Sequence, residues 1–550
     1  MKIVLKLFGI LLLINMLSCT QTKEPVDLIV YNAKVYTLDS AFSQTQSFAV
    51  KSGKIVETGK SADIISKYQA KEKIDAKKKF IYPGFIDGHC HFFYYGMGIL
   101  QNANLVGTKS FKEVAQKMLA HSEKYKQEWI IGRGWDQNDW KVKQFPDKSL
   151  IDSLFPNNPV VLFRIDGHAL LANSEALKRA GITKNSKIKG GEIIIKNGKM
   201  TGVLLDNAAD LIREKIPALS KKLQIEALNL AQKNCFAVGL TSVVDAGLDK
   251  KQILLIDSLQ KEKTLKMRVN AMLSPNEENF ESFMDYGIYK TDFLNVRSVK
   301  VYADGALGSR GAKLIEPYSD ESDNNGLLVS TEKQIREICE KAKKRNYQVN
   351  THAIGDSAVR MILNIYAEFL EGKNDLRWRI EHSQVVNEND FSLYKKYSII
   401  PSVQATHATS DMYWAKDRLG ENRVKNAYAY KKLLEQNNWI INGTDFPIEQ
   451  INPIYTFYAA VARKDFNNFP ENGFQMENAL SREETLKSMT IWAAKGSFEE
   501  NEKGSLEAGK FADFVILDKD IMEINEKEIP KIKILKTFVG GEMVYLIDNE

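Results

Sequence analysis

The stretch "PGFIDGHCHF", residues 83–92, sets His89 and His91 one residue apart at the end of an apolar run. Side chains alternate along a strand, so the two imidazoles face the same way. They can hold one ion between them, or they are simply two polar residues at a strand end. Other residues able to do chemistry stand where apolar runs turn polar: Lys300 in "VKVYADGALGSR", His352 in "THAIGD", His382 in "RIEHS" and Asp445 in "GTDFP". Taken singly, each has a structural explanation. His382 could be a hydrogen-bonded strand-end histidine, Asp445 a turn or cap residue, and Lys300 a salt-bridge lysine. Yet the chain has seven histidines, and four of them fall at such ends. Four imidazoles and a carboxylate form a nitrogen and oxygen set suited to zinc or a similar divalent ion. Lys300 does not fit that set, because a lysine with a pKa of about 10.4 is protonated near neutral pH and cannot bind a cation.

The elements that would carry these residues alternate. "PVVLFRID", "LTSVVDAG", "NVRSVKVYADG", "YQVNTHAIGD", "RWRIEHS", "SIIPSVQ" and "WIINGTDFP" are short apolar runs that end in polar residues or glycine. Helical segments such as "EKQIREICEKAKKR" separate most of them. With the strand before His89 they make eight, which predicts an α/β fold with a closed parallel barrel whose strand C-termini converge on one face. The barrel is expected over residues 81–495. Insertions near residues 92–158 and 184–220 exceed one βα unit and are expected over its mouth. Residues 26–80 and 496–550 are β-rich, with "DLIVYNAKVYTL" and "SFAVKSGKIVETG" at one end and "ADFVILDKD" and "ILKTFVGGEMVY" at the other.

The 550 residues, 44% hydrophobic and 27% charged, suit a large barrel with an appended domain. A net charge of +6 is small for this length and argues against nucleic acid as a partner. Residues 1–19, "MKIVLKLFGILLLINMLSC", combine two lysines with an apolar run too short to span a bilayer. The pattern resembles a bacterial lipoprotein signal, with Cys19 lipidated and the protein exported and anchored on the periplasmic side or at the cell surface. Met16 stands where that pattern usually has Leu, and a plain secretory signal or an uncleaved anchor is the alternative. Cys90, Cys235 and Cys339 are scattered and form no disulfide framework.

The order His-x-His, Lys, His, His, Asp resembles the amidohydrolase superfamily. "PGFIDGHCHF", "DGALGSRGA", "THAIGD", "RIEHS", "THATSDMYWAKDRLG", "GTDFPIEQINP" and "KGSLEAGKFADFVILD" together resemble its amidohydrolase-3 branch. This is the YtcJ-like group that includes N-substituted formamide deformylases. Ala405 stands in "QATH" where that group usually has proline. The resemblance implies a (β/α)8 TIM barrel plus a small β-sandwich made from both chain ends. It also implies two zinc ions bridged by a carboxylated Lys300, with His89, His91 and Asp445 on one and His352 and His382 on the other.

Such a site would hydrolyse a carbon–nitrogen bond in a small non-peptide amide through metal-activated hydroxide, with Asp445 as general acid and base. Around it, His168 in "RIDGHALLANS" is either a substrate contact, as the resemblance implies, or a helix-entry histidine. Asp304 and Arg310 follow Lys300, and Arg310 binds a carboxylate or forms a structural pair. Trp135 and Asp136 in "GRGWDQNDW" lie in an expected lid segment, where the tryptophan is either a substrate contact or simple packing, and His407 is a candidate beside the ligands or the substrate. Two rivals stand: the same site opening an ester, lactone or other bond, and a non-catalytic lipid-anchored binding protein. Assembly into a homo-oligomer is left open.

Overall fold

The computed structural model describes residues 23–125 and 127–547; Cys19 and the leader lie outside them. Eight parallel strands form a nearly closed barrel: β1 (Phe85–Cys90), β2 (Leu240–Leu248), β3 (Arg268–Leu273), β4 (Leu294–Tyr302), β5 (Gln348–Ala353), β6 (Arg379–His382), β7 (Ile400–Val403) and β8 (Ile441–Asn442). Every residue of β1, β3, β5, β6, β7 and β8 is buried. Their polar members, such as Gln348, Asn350, Arg379 and Glu381, are buried together with the apolar ones.

The ladder runs unbroken from β1 through β2 to β8. The seam between β8 and β1 is closed by other bonds. Asp445 N–H donates to His89 O at 2.8 Å and His91 N–H to Phe446 O at 2.9 Å. Asp87 of β1 accepts from the Thr444 amide at 3.0 Å and its hydroxyl at 2.7 Å. The two strands lie so close that only glycine fits at Gly443, where a Cβ would stand 2.5 Å from His89 N.

The barrel strands differ from the expected set at one place. "PVVLFRID" supplies Val160–Arg164, which is no barrel strand: it pairs with Ile130–Trp135 and Ala169–Ala172 in a separate six-stranded sheet. The barrel strand that replaces it is "RVNAML", β3. Its Arg268 and Asn270 break the apolar run although both are buried. The two expected insertions are therefore one module between β1 and β2. Its sheet runs from Asn102–Asn104 to Lys199–Asp206 and Gly191–Lys196.

Of the remaining two sheets, the six-stranded one mixes strands from both chain ends and the four-stranded one comes from residues 24–75 alone. Phe80–Pro83 pairs antiparallel with Phe514–Leu517. That sheet packs on the four-stranded sheet containing Glu24–Tyr31 through a core with Val30, Phe48, Phe514 and Phe538. Arg268 ties this layer to the barrel, donating to Asp513 at 2.6 and 2.9 Å. Cys90, Cys235 and Cys339 are free and buried.

Candidate metal centre

His89 leaves β1 with its ring fully buried, and His91 follows one residue later with 20% of its side chain exposed. The two face the same cavity with ring centroids 5.8 Å apart. Asp445 enters from just past β8 at φ 60, a left-handed conformation that non-glycine residues adopt only when held there. Its Oδ1 lies 3.3 Å from His91 Nε2 and 3.7 Å from His89 Nε2, yet is buried without a hydrogen-bond partner. His91 Nδ1 faces the Ala246 carbonyl at 3.2 Å, which keeps Nε2 turned inward.

β4 to β6 supply the opposite wall. Tyr302 is in register with His352, and Ala353 with His382, so the two imidazoles stand on neighbouring strands with centroids 4.5 Å apart. Lys300 points inward from β4 and ends 3.1 Å from His89 Nε2. Burial lowers its pKa to about 8. Burial likewise holds His89 below, and His352 and His382 well below, the ordinary histidine range, so these rings are neutral bases able to accept a cation. Burial works against ionised Asp445, but His91 and the other imidazoles outweigh it and keep the carboxyl well below its usual range.

Two triads have ligand atoms that all lie within 4.8 Å of one another: His89, His91 and Asp445, and His382, His407 and Asp445. The orphaned Asp445 Oδ1 and the buried, unpartnered His407 Nε2 point the same way. This nitrogen and oxygen set fits a divalent ion. His407 stands closer to the cluster than a substrate residue needs, with Nε2 3.8 Å from Asp445 Oδ2. His352 Nε2 lies instead 3.4 Å from Gly305 O.

Other expected residues fall differently. His168 reaches the site from the inserted module rather than from a barrel strand, with its ring 4.9 Å from that of His352. Trp135 is core, not lid: it is buried against Trp140 and donates its indole N–H to Leu162 O at 2.8 Å. Asp136 pairs with Arg164 and caps the turn at Asn138. Asp304 is closed to substrate because its carboxylate accepts three backbone N–H groups, from Lys313, Ile354 and Gly355, at 2.8–3.0 Å. Arg310 pairs with Asp320 at 2.9 Å.

Three supporting residues escaped the sequence reading. Glu381 holds His89 Nδ1, Gln404 Oε1 lies 2.7 Å from His382 Nδ1, and Asp206 Oδ1 lies 2.6 Å from His168 Nδ1. The only signal was Glu381 itself, an acid inside an apolar run. Ala405, where a proline would have no N–H, donates to Asn442 Oδ1 at 3.2 Å.

A model of the Amidohydrolase family (Amidohydro_3) matches residues 72–545. The chain belongs to the amidohydrolase family. This amidohydrolase is therefore an enzyme of the hydrolase type. YtcJ of Bacillus subtilis (strain 168) is 31% identical to it over 519 residues, covering 93% of this chain and 98% of YtcJ. The N-substituted formamide deformylase of Arthrobacter pascens is 24% identical over 543 residues, covering 94% of this chain and 98% of the deformylase. Among solved structures, an uncharacterized metal-dependent hydrolase from Pyrococcus horikoshii OT3 superposes with a TM-score of 0.75 at 27% identity, covering 91% of this chain and 99% of the other.

Proposed function

We propose that this amidohydrolase is a metal-dependent hydrolase that cleaves the carbon–nitrogen bond of a small non-peptide amide. The observation that carries this reading is the buried, ionised Asp445 carboxylate, its Oδ1 without a hydrogen-bond partner, facing His89 and His91 at 3.7 and 3.3 Å. The likeness to a formamide deformylase supports the bond type.

His89, His91 and Asp445 would hold one divalent ion, zinc being the best match to the donors. His352 and His382 would hold a second. Lys300 would stand between them as a carbamate, since a charged ammonium 3.1 Å from a ligand nitrogen is incompatible with a cation there. The bound metal supplies Lewis acidity, which acidifies water and polarises a substrate carbonyl.

The chain's own groups do the rest. Asp445 is ionised and takes the proton of the attacking water, then returns it to the departing nitrogen. Asp206 holds His168 through Nδ1 and, against burial, raises its pKa, so the imidazolium it favours would donate from Nε2 to the substrate. The closed wall of Lys300, His352 and His382, each 5% exposed or less, keeps bulk water from the reacting atoms. Outside the site, we propose export and anchoring through a lipid on Cys19.

The test is metal content and turnover measured together. Asp445→Asn should keep the fold, retain most of the metal and lose turnover of an N-substituted formamide by at least about a thousandfold. Full activity in that variant refutes the role of Asp445. Absence of metal after zinc addition to the wild type refutes the site.

A further inference from the structure

The open side of the cavity is marked by the three imidazoles with solvent contact: His91 at 20%, His168 at 17% and His407 at 12% of the side chain. The turn that carries His168 is the nearest part of the inserted module. Two guanidinium groups grip that turn. Arg213 donates to Gly167 O, and Arg133 Nη2 donates to Ile165 O at 3.3 Å. A Cβ on Gly167 would stand 3.5 Å from Arg133 Nη2, so the guanidinium lies flat against the residue preceding His168.

The charges here do not pair evenly. Arg213 has Asp210 at 2.7 Å. Arg164 has both Asp136 and Asp166. Asp166 is fully engaged, Oδ2 with Arg164 at 2.6 Å and Oδ1 with the His168 amide at 3.0 Å. Arg133 has no carboxylate partner among the described residues, and its Nε is buried without any hydrogen-bond acceptor. A buried donor left unmade costs about 1–3 kcal/mol. Burial, with the like charge of Arg213 beside it, lowers the Arg133 pKa to about 10, so it remains charged at neutral pH. The carboxylates whose charge reaches it are Asp166 and Asp445, one on the turn and one in the metal cluster.

Building on the amide-hydrolase reading, we propose that Arg133 is an anion-binding residue at the mouth of the site and that the substrate carries a carboxylate, as in an N-acyl amino acid. A planar guanidinium with free donors matches a carboxylate in a bidentate geometry that a neutral group cannot use. The acid end of the substrate sits against the inserted module. The scissile amide reaches inward past His168 to Asp445.

The experiment compares N-acetylphenylalanine with its neutral C-terminal amide, by calorimetric binding to zinc-loaded Asp445→Asn protein, with and without Arg133→Gln. The expected result is at least tenfold tighter binding of the acid, a preference that Arg133→Gln reduces to near one and Arg133→Lys keeps in part. A preference that survives Arg133→Gln assigns the carboxylate to the metal instead and overturns the proposal. Equal binding of acid and amide, or no binding of either, overturns it as well. Metal content is measured on the same preparations, and turnover of a neutral formamide on protein with Asp445 intact, with and without Arg133→Gln. The amide-hydrolase reading therefore stands or falls separately from the role of Arg133.

Discussion

His89 Nδ1 lies 2.6 Å from Glu381 Oε2, and neither side chain has any exposed surface. The bond fixes the His89 ring so that Nε2 faces the cavity, the orientation a carboxylate partner gives a metal-binding histidine. Burial opposes the ionised form of Glu381, but His89 and Arg379 outweigh it and hold the carboxyl below its usual range. Glu381→Gln keeps the shape and removes the charge. It should weaken metal affinity about 10- to 100-fold, read by competition with a chelator. An unchanged affinity would show that Glu381 does not tune His89.

Lys300 ties the site to pH. Only the neutral amine can take up carbon dioxide, and with a pKa lowered by burial to about 8 the neutral fraction rises about tenfold from pH 6 to pH 7 and levels off above 8. At constant dissolved carbon dioxide, the rate at which metal-free protein acquires metal should follow that curve. A flat profile, or uptake indifferent to carbon dioxide, would count against the carbamate.

The Arg268–Asp513 pair is buried at both ends, with 2% and 4% of the side chains exposed. Removing one partner leaves an uncompensated buried charge. Asp513→Ala should therefore destabilise the protein by about 3–5 kcal/mol, measured by denaturant unfolding. Metal content of the folded fraction should stay unchanged, because the pair joins the barrel to the sheets of the chain ends rather than to the site. A change below about 1 kcal/mol would show that the pair is not holding these layers together.

The proposed lipid anchor would rest on Cys19. Cys19→Ser should move the protein from the membrane fraction to the soluble fraction and abolish palmitate incorporation in cells. Unaltered labelling and partitioning would rule the anchor out.

The fold brings His89, His91, His382 and Asp445 together, and these were legible because strand alternation and barrel geometry act on local text. "HCH" turns His89 and His91 inward wherever the strand goes, and "IEHS" and "GTDFP" mark strand ends. Partners chosen by long-range packing were not legible. Nothing near Glu381 announces that it will meet His89, 292 residues away. "PVVLFRID" and "RVNAML" exchanged places for a related reason. A hydrophobic run says that a strand is buried, not which sheet buries it. The interior Arg268 of β3 finds its partner, Asp513, far along the chain. Trp135 stayed open between lid and packing because the two kinds of tryptophan look alike until their neighbours are known.

The seam between β1 and β8 joins residues near position 85 to residues near 441, and the sheet beside it joins Phe80–Pro83 to Phe514–Leu517. A ribosome has made most of the chain before either closure is possible. A nascent chain of 400 residues therefore carries His89, His91, Lys300, His352 and His382 but lacks Asp445 and the strand that locks β1 in place. The candidate site is therefore among the last parts of the fold to close, because it is incomplete until the segment beyond β8 meets β1.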